Sequence, residues 1–356
     1  MFSRMISSGL SSISSIFSET KQEEKSKFQY ELNDEEQKQL RHSEDKPKIV
    51  ALYAEHDGAV NADLAIQHFE KDGLDVVRVS PEEGLSHPTF SSNSIDGIYL
   101  PGGSDIPVQD ESDPRKRFEG QLTQLARAKD IPLIGICRGE QAIGHHNRLA
   151  VEDLPDYEQH YGGANNGSTP DANNTVVVEK GSQLFAALQN EFKEKNNGPL
   201  EYPVTCLHHQ HIPESPSHTD IQVTGRNKFD NTIESIEIKT GKYFSFGVQH
   251  HPEVLISSCE DKRKEKITQV EKEAEEARFT SNFFEPDTAL IAELQYAQKL
   301  REAHEQSRDE RAARAEMGFF TKQVKKRFLE HKAQQKETQP CDVDSTQHSP
   351  VFELWG

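Results

Sequence analysis

Cysteine is scarce in this sequence: four in 356 residues, at positions 137, 206, 259 and 341. No two stand at CxxC spacing. That excludes a zinc-ribbon pattern and a disulfide framework, and a reducing, cytoplasmic setting is expected. Long apolar runs are also missing. None reaches the ~20 residues that a membrane-spanning helix needs. The first twenty residues lack the continuous apolar region of a secretory signal, so none is expected. Positive charge is short as well. Lys and Arg number 41 against 60 Asp and Glu, leaving a formal net charge of −19. That argues against nucleic-acid binding, which needs a basic surface to meet phosphates. Hydrophobic residues make up 33%, which is low for a chain packed throughout. One compact domain with solvated or helical extensions is therefore expected.

Three zones divide the chain. Residues 1–45 begin Ser-rich, "MFSRMISSGLSSISSIFSET", and then turn charged. Phe2, Met5, Ile6, Leu10, Ile13, Ile16 and Phe17 recur at helical spacing within an arc of roughly 140°, with Ser, Arg and Gly mostly opposite. This zone is read as an amphipathic or disordered extension, with residues 1–20 a candidate for a membrane surface or protein partner. Residues 46–256 alternate apolar strands ("KIVALYA", "LDVVRVS", "IDGIYLPGG", "IPLIGIC") with amphipathic helices. That pattern predicts an α/β domain: a mostly parallel central sheet with helices on both faces. Shorter strands in its second half suggest mixed pairing there. Residues 257–356 are charged and read as a helical C-terminal extension with a flexible tail. Within it, Met317, Phe320, Val324 and Phe328 form a stripe beside Lys322, Lys325, Lys326 and Arg327. Residues 317–332 are thus a second candidate for a membrane or partner surface, although such a stripe more often packs on its own domain.

The run Ile131-Pro132-Leu133-Ile134 leads into "GICRGEQ", with Cys137 between Gly135 and Gly139. A nucleophile on a sharp strand-to-helix turn needs small neighbours, because a Cβ on either side would meet adjacent backbone. The N-terminus of the following helix favours a thiolate. The backbone N–H of Arg138 is placed to meet an oxyanion. A cysteine nucleophile needs a base, and the base needs an orienting group. "GVQHHPE" supplies His251 and, two residues on, Glu253. His250 also has the chemistry of a base, but a structural role suits it better.

"GICRGEQ" and "GVQHHPE", in this order and separation, resemble the class I glutamine amidotransferase superfamily. Arg138, "DGIYLPGGSDI" at 96–106, "CLHHQHI" at 206–212 and "TIESIEI" at 232–238 are similar to its γ-glutamyl hydrolase branch, of the kind of γ-glutamyl-γ-aminobutyrate hydrolase. The resemblance covers residues 46–256 and neither extension. It implies a class I glutamine amidotransferase-like fold, with Cys137 as nucleophile, His251 as general base and acid, and Glu253 as its orienter. It also implies a second oxyanion donor from Gly103 beside Gly102, a glutamyl pocket shaped by Gln141, and a substrate side lined by His208, His209 and Gln210. The implied substrate is a small γ-glutamyl amine or peptide, cleaved through a glutamyl-thioester without a cofactor. An oligomer is compatible with this reading.

Several residues depart from the branch. Glu140 stands where relatives carry an apolar residue or histidine, and its carboxylate would oppose a thiolate. Gly144, His145 and His146 replace an Asn and a Gly-Gly pair, and Thr205-Cys206 replace Asn-Ser. All these changes are expected near the pocket. His208, His209 and His211, or His145 with His146, hint at a metal. Zinc sites add a further ligand at readable spacing, and none is visible, so no metal is expected. Two other functions stay open: a glutaminase subunit feeding ammonia to a separate synthetase, and a targeting or interaction protein that acts on a protein glutamine or is silent.

Overall fold

The computed structural model describes residues 32–92, 94–161, 174–193, 198–213, 220–281 and 286–338. The amphipathic stripe of residues 1–20 and the tail from Cys341 lie outside the described residues. Local chemistry starts the helices. Asn33 and Glu36 form a reciprocal capping box on α1 (Asp34–His42). Asp113 accepts from the Lys116 N–H, with Pro114 in the first turn, to open α3 (Pro114–Ala128). Gly73, at φ 87°, follows α2 (Ala59–Lys71) and turns the chain into β2 (Asp75–Val79).

The central sheet has the order β2-β1-β3-β4-β11-β10-β9-β6-β7. Its parallel half consists of β2, β1 (Lys48–Leu52), β3 (Gly97–Leu100), β4 (Leu133–Ile136) and β11 (Tyr243–Val248). From β11 onward every pairing is antiparallel, through β10 (Ile233–Thr240), β9 (Ile221–Asn227), β6 (Asn174–Val178) and β7 (Leu200–Val204). The fold is therefore α/β with a parallel half to its sheet, and the mixed pairing expected in the second half extends over four antiparallel pairings. β9, β10 and β11 follow one another through tight turns, and a turn of that length joins only antiparallel neighbours. A two-stranded ribbon, β5 (Glu152–Asp153) with β8 (Gln210–His211), lies apart from the sheet.

Strand alternation sorts the core into two faces. Ile49 and Ala51 of β1 join one cluster, with Ala65, Ile66 and Phe69 of α2 and Leu184 and Leu188 of α5 (Gln183–Phe192). Val50 and Leu52 join the other, with Phe118 and Leu122 of α3 and Ala142 and Ile143 of α4 (Arg138–His146).

The C-terminal helices are α6 (Pro252–Ser281), α7 (Pro286–His304) and α8 (Arg308–Thr338). The border expected at residue 256 falls inside the continuous α6. The stripe read as a candidate membrane or partner surface at 317–332 is instead buried against the sheet. Met317, Phe320, Val324 and Phe328 are all at most 5% exposed. Phe320 meets the Phe69 ring at 5.4 Å, and Phe319 meets Phe244 at 5.3 Å. Gly97 makes room for them, since a Cβ there would lie 2.5 Å from Val324 Cγ2. The stripe is apolar because it completes the core; its lysines and arginine edge it. Among the described residues no helix is long and apolar enough to cross a membrane.

If α8 is part of this core, Phe320→Ala should lower the unfolding free energy by about 3–5 kcal/mol. Leu294→Ala, at an exposed position on α7, should change it by less than about 0.5 kcal/mol. Urea titration of both variants measures the contrast.

Candidate active site

Cys137 sits at the end of β4 with φ 54° and ψ −110°, a left-handed turn that a side chain rarely adopts. The flanking glycines explain how the turn fits. A Cβ on Gly135 would lie 2.3 Å from the Gly139 carbonyl, and one on Gly139 would lie 2.0 Å from the Leu100 carbonyl oxygen. The Cys137 N–H donates to the Val248 carbonyl at 2.7 Å, so the thiol leaves the sheet beside the end of β11. Arg138 opens α4, and its N–H is one of the first in that helix, which have no intrahelical acceptor.

Three residues beyond β11, His251 reaches the same place. Its N–H donates to the Thr205 carbonyl at 2.8 Å, and its Nδ1 is 2.6 Å from Glu253 Oε1. Burial alone would lower the His251 pKa. The Glu253 carboxylate and the adjacent Cys137 sulfur, which hydrogen-bonds the ring, outweigh burial and hold it well above the ordinary value. The protonated ring is thereby favoured beside the sulfur, an arrangement that suits thiolate chemistry. Gly102 closes in on the pair: a Cβ there would lie 2.9 Å from His251 Cε1 and 3.5 Å from Cys137 Cβ.

Cys137, His251, Gln141, His208, His209 and Gly103 line one cavity of about 430 Å³, with Asp57, Asn61, Ser104, Asp105 and Tyr161 among its other walls. The cavity opens at the carboxyl ends of parallel strands, where ligands bind in such sheets. This arrangement can ionise a thiol, present it to a carbonyl and return a proton to a leaving group.

A family model described as Peptidase C26 matches residues 66–253, from α2 to Glu253. The chain belongs to the Peptidase C26 family. The carbamoyl phosphate synthase small chain of Helicobacter pylori (strain 26695) is 30% identical over 164 residues. That stretch is 46% of this chain and 34% of the relative, so the chain spans about a third of that relative's length. A glutamine amidotransferase-like protein of Rickettsia prowazekii is 27% identical over 206 residues, covering 45% of this chain and 71% of that one. A glutamine amidotransferase structure from Thermotoga maritima superposes with a TM-score of 0.46 at 17% identity, covering 79% of this chain and 99% of that one.

In this Peptidase C26 member, Arg138, expected to act through its backbone N–H, and Gln210, expected on the substrate side, both engage their side chains elsewhere. The Arg138 guanidinium is buried on Glu119, with Nε 2.9 Å from Oε1, which leaves only its backbone N–H near the thiol. Gln210 accepts from the Ile106 N–H at 2.8 Å and donates to Asp153 at 3.1 Å. It braces a loop and does not line the cavity. Gln141 faces the cavity but is anchored by Gln210 O at 2.8 Å and Gln249 Oε1 at 3.1 Å. His209 is partly exposed and stacks on Tyr161 with centroids 4.6 Å apart.

The departures also resolve. His145 and His146 end α4 outside the cavity, His146 Nε2 lying 3.1 Å from the Lys116 carbonyl. Glu140 is fully buried against Gly247, and neither of its oxygens finds a hydrogen-bond partner among the described residues. Burial first, and the Glu234 charge second, push its pKa well above the ordinary value. The neutral form is thereby favoured, which weakens the expected opposition to a thiolate.

Sequence reasoning missed two sets of residues. Arg115 donates to the Pro101 carbonyl at 3.0 Å and the Gly102 carbonyl at 2.9 Å, and pairs with Glu119 and Asp57. It thereby fixes the "LPGG" turn over Cys137. Asp57 also accepts from the Ser104 N–H at 2.6 Å. Burial would raise the Asp57 pKa, but Arg115, that N–H and Arg138 together lower it. The only available signal was position, since Asp57 follows a strand's carboxyl end. The second set is Glu316 of α8, whose carboxylate lies 2.9 Å from His250 Nε2 and accepts from the Tyr202 hydroxyl. Nothing in a polar helix marks one glutamate as buried.

Burial would depress the His250 pKa, but Glu316 and Glu234 overcome it and raise the value from 6.5 to about 10. The charged pair therefore contributes stability that is complete below pH 6.5 and is lost as pH rises toward 10. Glu316→Gln should cost about 3 kcal/mol at pH 6. The gap from wild type should shrink steadily toward pH 10, as read from urea midpoints.

Proposed function

We propose that this protein hydrolyses the γ-glutamyl amide bond of a small γ-glutamyl amine or peptide. The observation that carries the reading is Cys137 and His251 sharing one cavity, with His251 held by Glu253 at 2.6 Å. The Cys137 thiolate attacks the side-chain carbonyl. The N–H groups of Arg138 and Gly103 receive the developing oxyanion. His251 protonates the leaving amine, and a glutamyl-thioester remains on sulfur. Water then enters, His251 takes its proton, and glutamate departs from the regenerated thiol. Glu253 orients the ring throughout and never needs to accept the proton.

The cavity walls support a small polar substrate. Asn61, Ser104 and Asp105 offer hydrogen-bonding groups, and Tyr161 with His209 forms a flat aromatic border. At about 430 Å³ the space suits a ligand of glutamyl-dipeptide size. A glutaminase feeding a separate synthetase is the second reading, favoured by the identity shared with carbamoyl phosphate synthase small chains.

Glutamate release from glutamine and from a panel of γ-glutamyl amines separates the two. Release from the panel, with little from glutamine, is expected. Release from glutamine alone would select the second reading. Cys137→Ala should abolish turnover, and Glu253→Gln should reduce kcat by about 10⁴-fold while leaving KM nearly unchanged. A Cys137→Ala protein that still turned over would overturn both readings.

A further inference from the structure

Behind the cavity wall, His160, Cys206, His208 and Glu234 bring one donor atom each within 4.8 Å of one another, and all four are buried. The hydrogen bonds around them fix which nitrogens carry protons. His208 Nδ1 is 3.0 Å from the Gln210 carbonyl. A carbonyl only accepts, so Nδ1 holds the proton and Nε2 is a bare lone pair. His160 Nε2 is 2.7 Å from Asp230 Oδ2, so by the same reasoning His160 Nδ1 is the bare nitrogen. Neither His208 Nε2 nor His160 Nδ1 has a hydrogen-bond partner among the described residues. Both face the same acceptor, Glu234 Oε1, at 3.9 and 3.7 Å. The Cys206 sulfur is 3.6 Å from that oxygen. Two lone pairs, a carboxylate and a thiol thus converge with too few protons to satisfy them.

We infer that this cluster is a structural site for a zinc-class divalent cation, with His160 Nδ1, His208 Nε2, Cys206 Sγ and Glu234 Oε1 as ligands. Zinc bonds of about 2.0–2.3 Å in a tetrahedron place neighbouring donors roughly 3.3–3.6 Å apart, so the three spacings to Glu234 Oε1, at 3.6, 3.7 and 3.9 Å, need to contract by a few tenths of an ångström, and any pair near the 4.8 Å limit by about 1 Å. Imidazole and thiolate donors select a transition metal over calcium or magnesium. One thiolate and one carboxylate neutralise the two positive charges. The thiol proton leaves to solvent when the ion binds. Four protein ligands leave no open position, which makes the site structural. The outer hydrogen bonds suit ligation, with Asp230 on His160, the Gln210 carbonyl on His208, and Asn227 Nδ2 on Glu234 Oε1 at 3.1 Å. Cys206 and His208 are near neighbours, but His160 and Glu234 lie far from them in sequence, which is why no spacing announced the full set. The ion would pin residues 205–208, whose Thr205 carbonyl holds the His251 N–H and whose Leu207 carbonyl accepts from the Cys137 thiol at 3.9 Å.

The full chain, stripped with a chelator and dialysed, should bind one equivalent of Co²⁺, giving tetrahedral visible bands and a thiolate-to-cobalt band in the near ultraviolet. Zn²⁺ should bleach both and raise Tm. Cys206→Ser should remove the near-ultraviolet band, whereas serine at 137, 259 or 341 should leave it. Asp230→Asn, which touches no metal, should weaken Zn²⁺ binding 10–100-fold without altering the far-ultraviolet spectrum. Failure to retain Co²⁺, a sulfur band indifferent to Cys206→Ser, or its loss in Cys137→Ser would each overturn the site. None of these readouts depends on glutamyl hydrolysis, so they stand apart from the proposed activity.

Discussion

The contact on which the rest depends is backbone against backbone, where α4 leaves β4. Gly139 lies so close to the Leu100 carbonyl, and Gly135 to Gly139, that no side chain fits between them. That closeness lets Cys137 occupy a left-handed turn that would otherwise cost about 1–3 kcal/mol. Parallel pairing supplies the remaining alignment. Val248 is in register with Ile136, and Leu100 with Gly135. Three strand ends therefore stop at nearly the same level. The thiol, the "LPGG" turn and the His251 segment emerge side by side because their strands do.

Around this junction the fold buries charge in pairs. Arg115 and Arg138 converge on Glu119, with Asp57 beside them. On the other side, His250 is held between Glu234 and Glu316. Such groups do little for net stability compared with an apolar replacement, but breaking one member is costly because the other charge is stranded. Their consequence here is positional. The first set holds the carbonyls of residues 101 and 102, and the second holds the residue preceding His251. A wrong rotation of either loop would leave a buried ion alone, so the geometry around Cys137 is enforced by electrostatics as well as by packing.

What could be read from the letters follows the range of each interaction. Cys137, His251 and Glu253 were legible because an elbow and a two-residue His-to-Glu spacing are local patterns. Strands and helices on the parallel side were legible for the same reason. Mixed pairing in the second half was legible from its short strands, but the partners of β10, β9, β6 and β7 were not, since topology chooses them. Arg115 and Glu316 were invisible because an arginine or glutamate on a helix looks solvated until a distant strand covers it. The C-terminal zone misled through its average. Its charged majority suggested an extension, while a narrow stripe through Met317, Phe320 and Val324 belongs to the main core. Gln210 misled in the opposite way, its motif suggesting substrate where its side chain holds Ile106 and Asp153.

Glu140 shows how the environment can reverse what a residue type implies. On paper it adds a negative charge three residues from the thiol. In the fold, Gly247 admits its side chain to a site with no hydrogen-bond donor among the described residues, where burial and the Glu234 charge outweigh the opposing pull of His250. Ionising there would require an unpaired buried carboxylate, which desolvation forbids, so the group keeps its proton. Beside sulfur stands His251, its protonated form favoured and its ring fixed from behind by Glu253. The same physics that silences one carboxyl leaves the other in control, because only Glu253 has a hydrogen-bonded cation to compensate its burial.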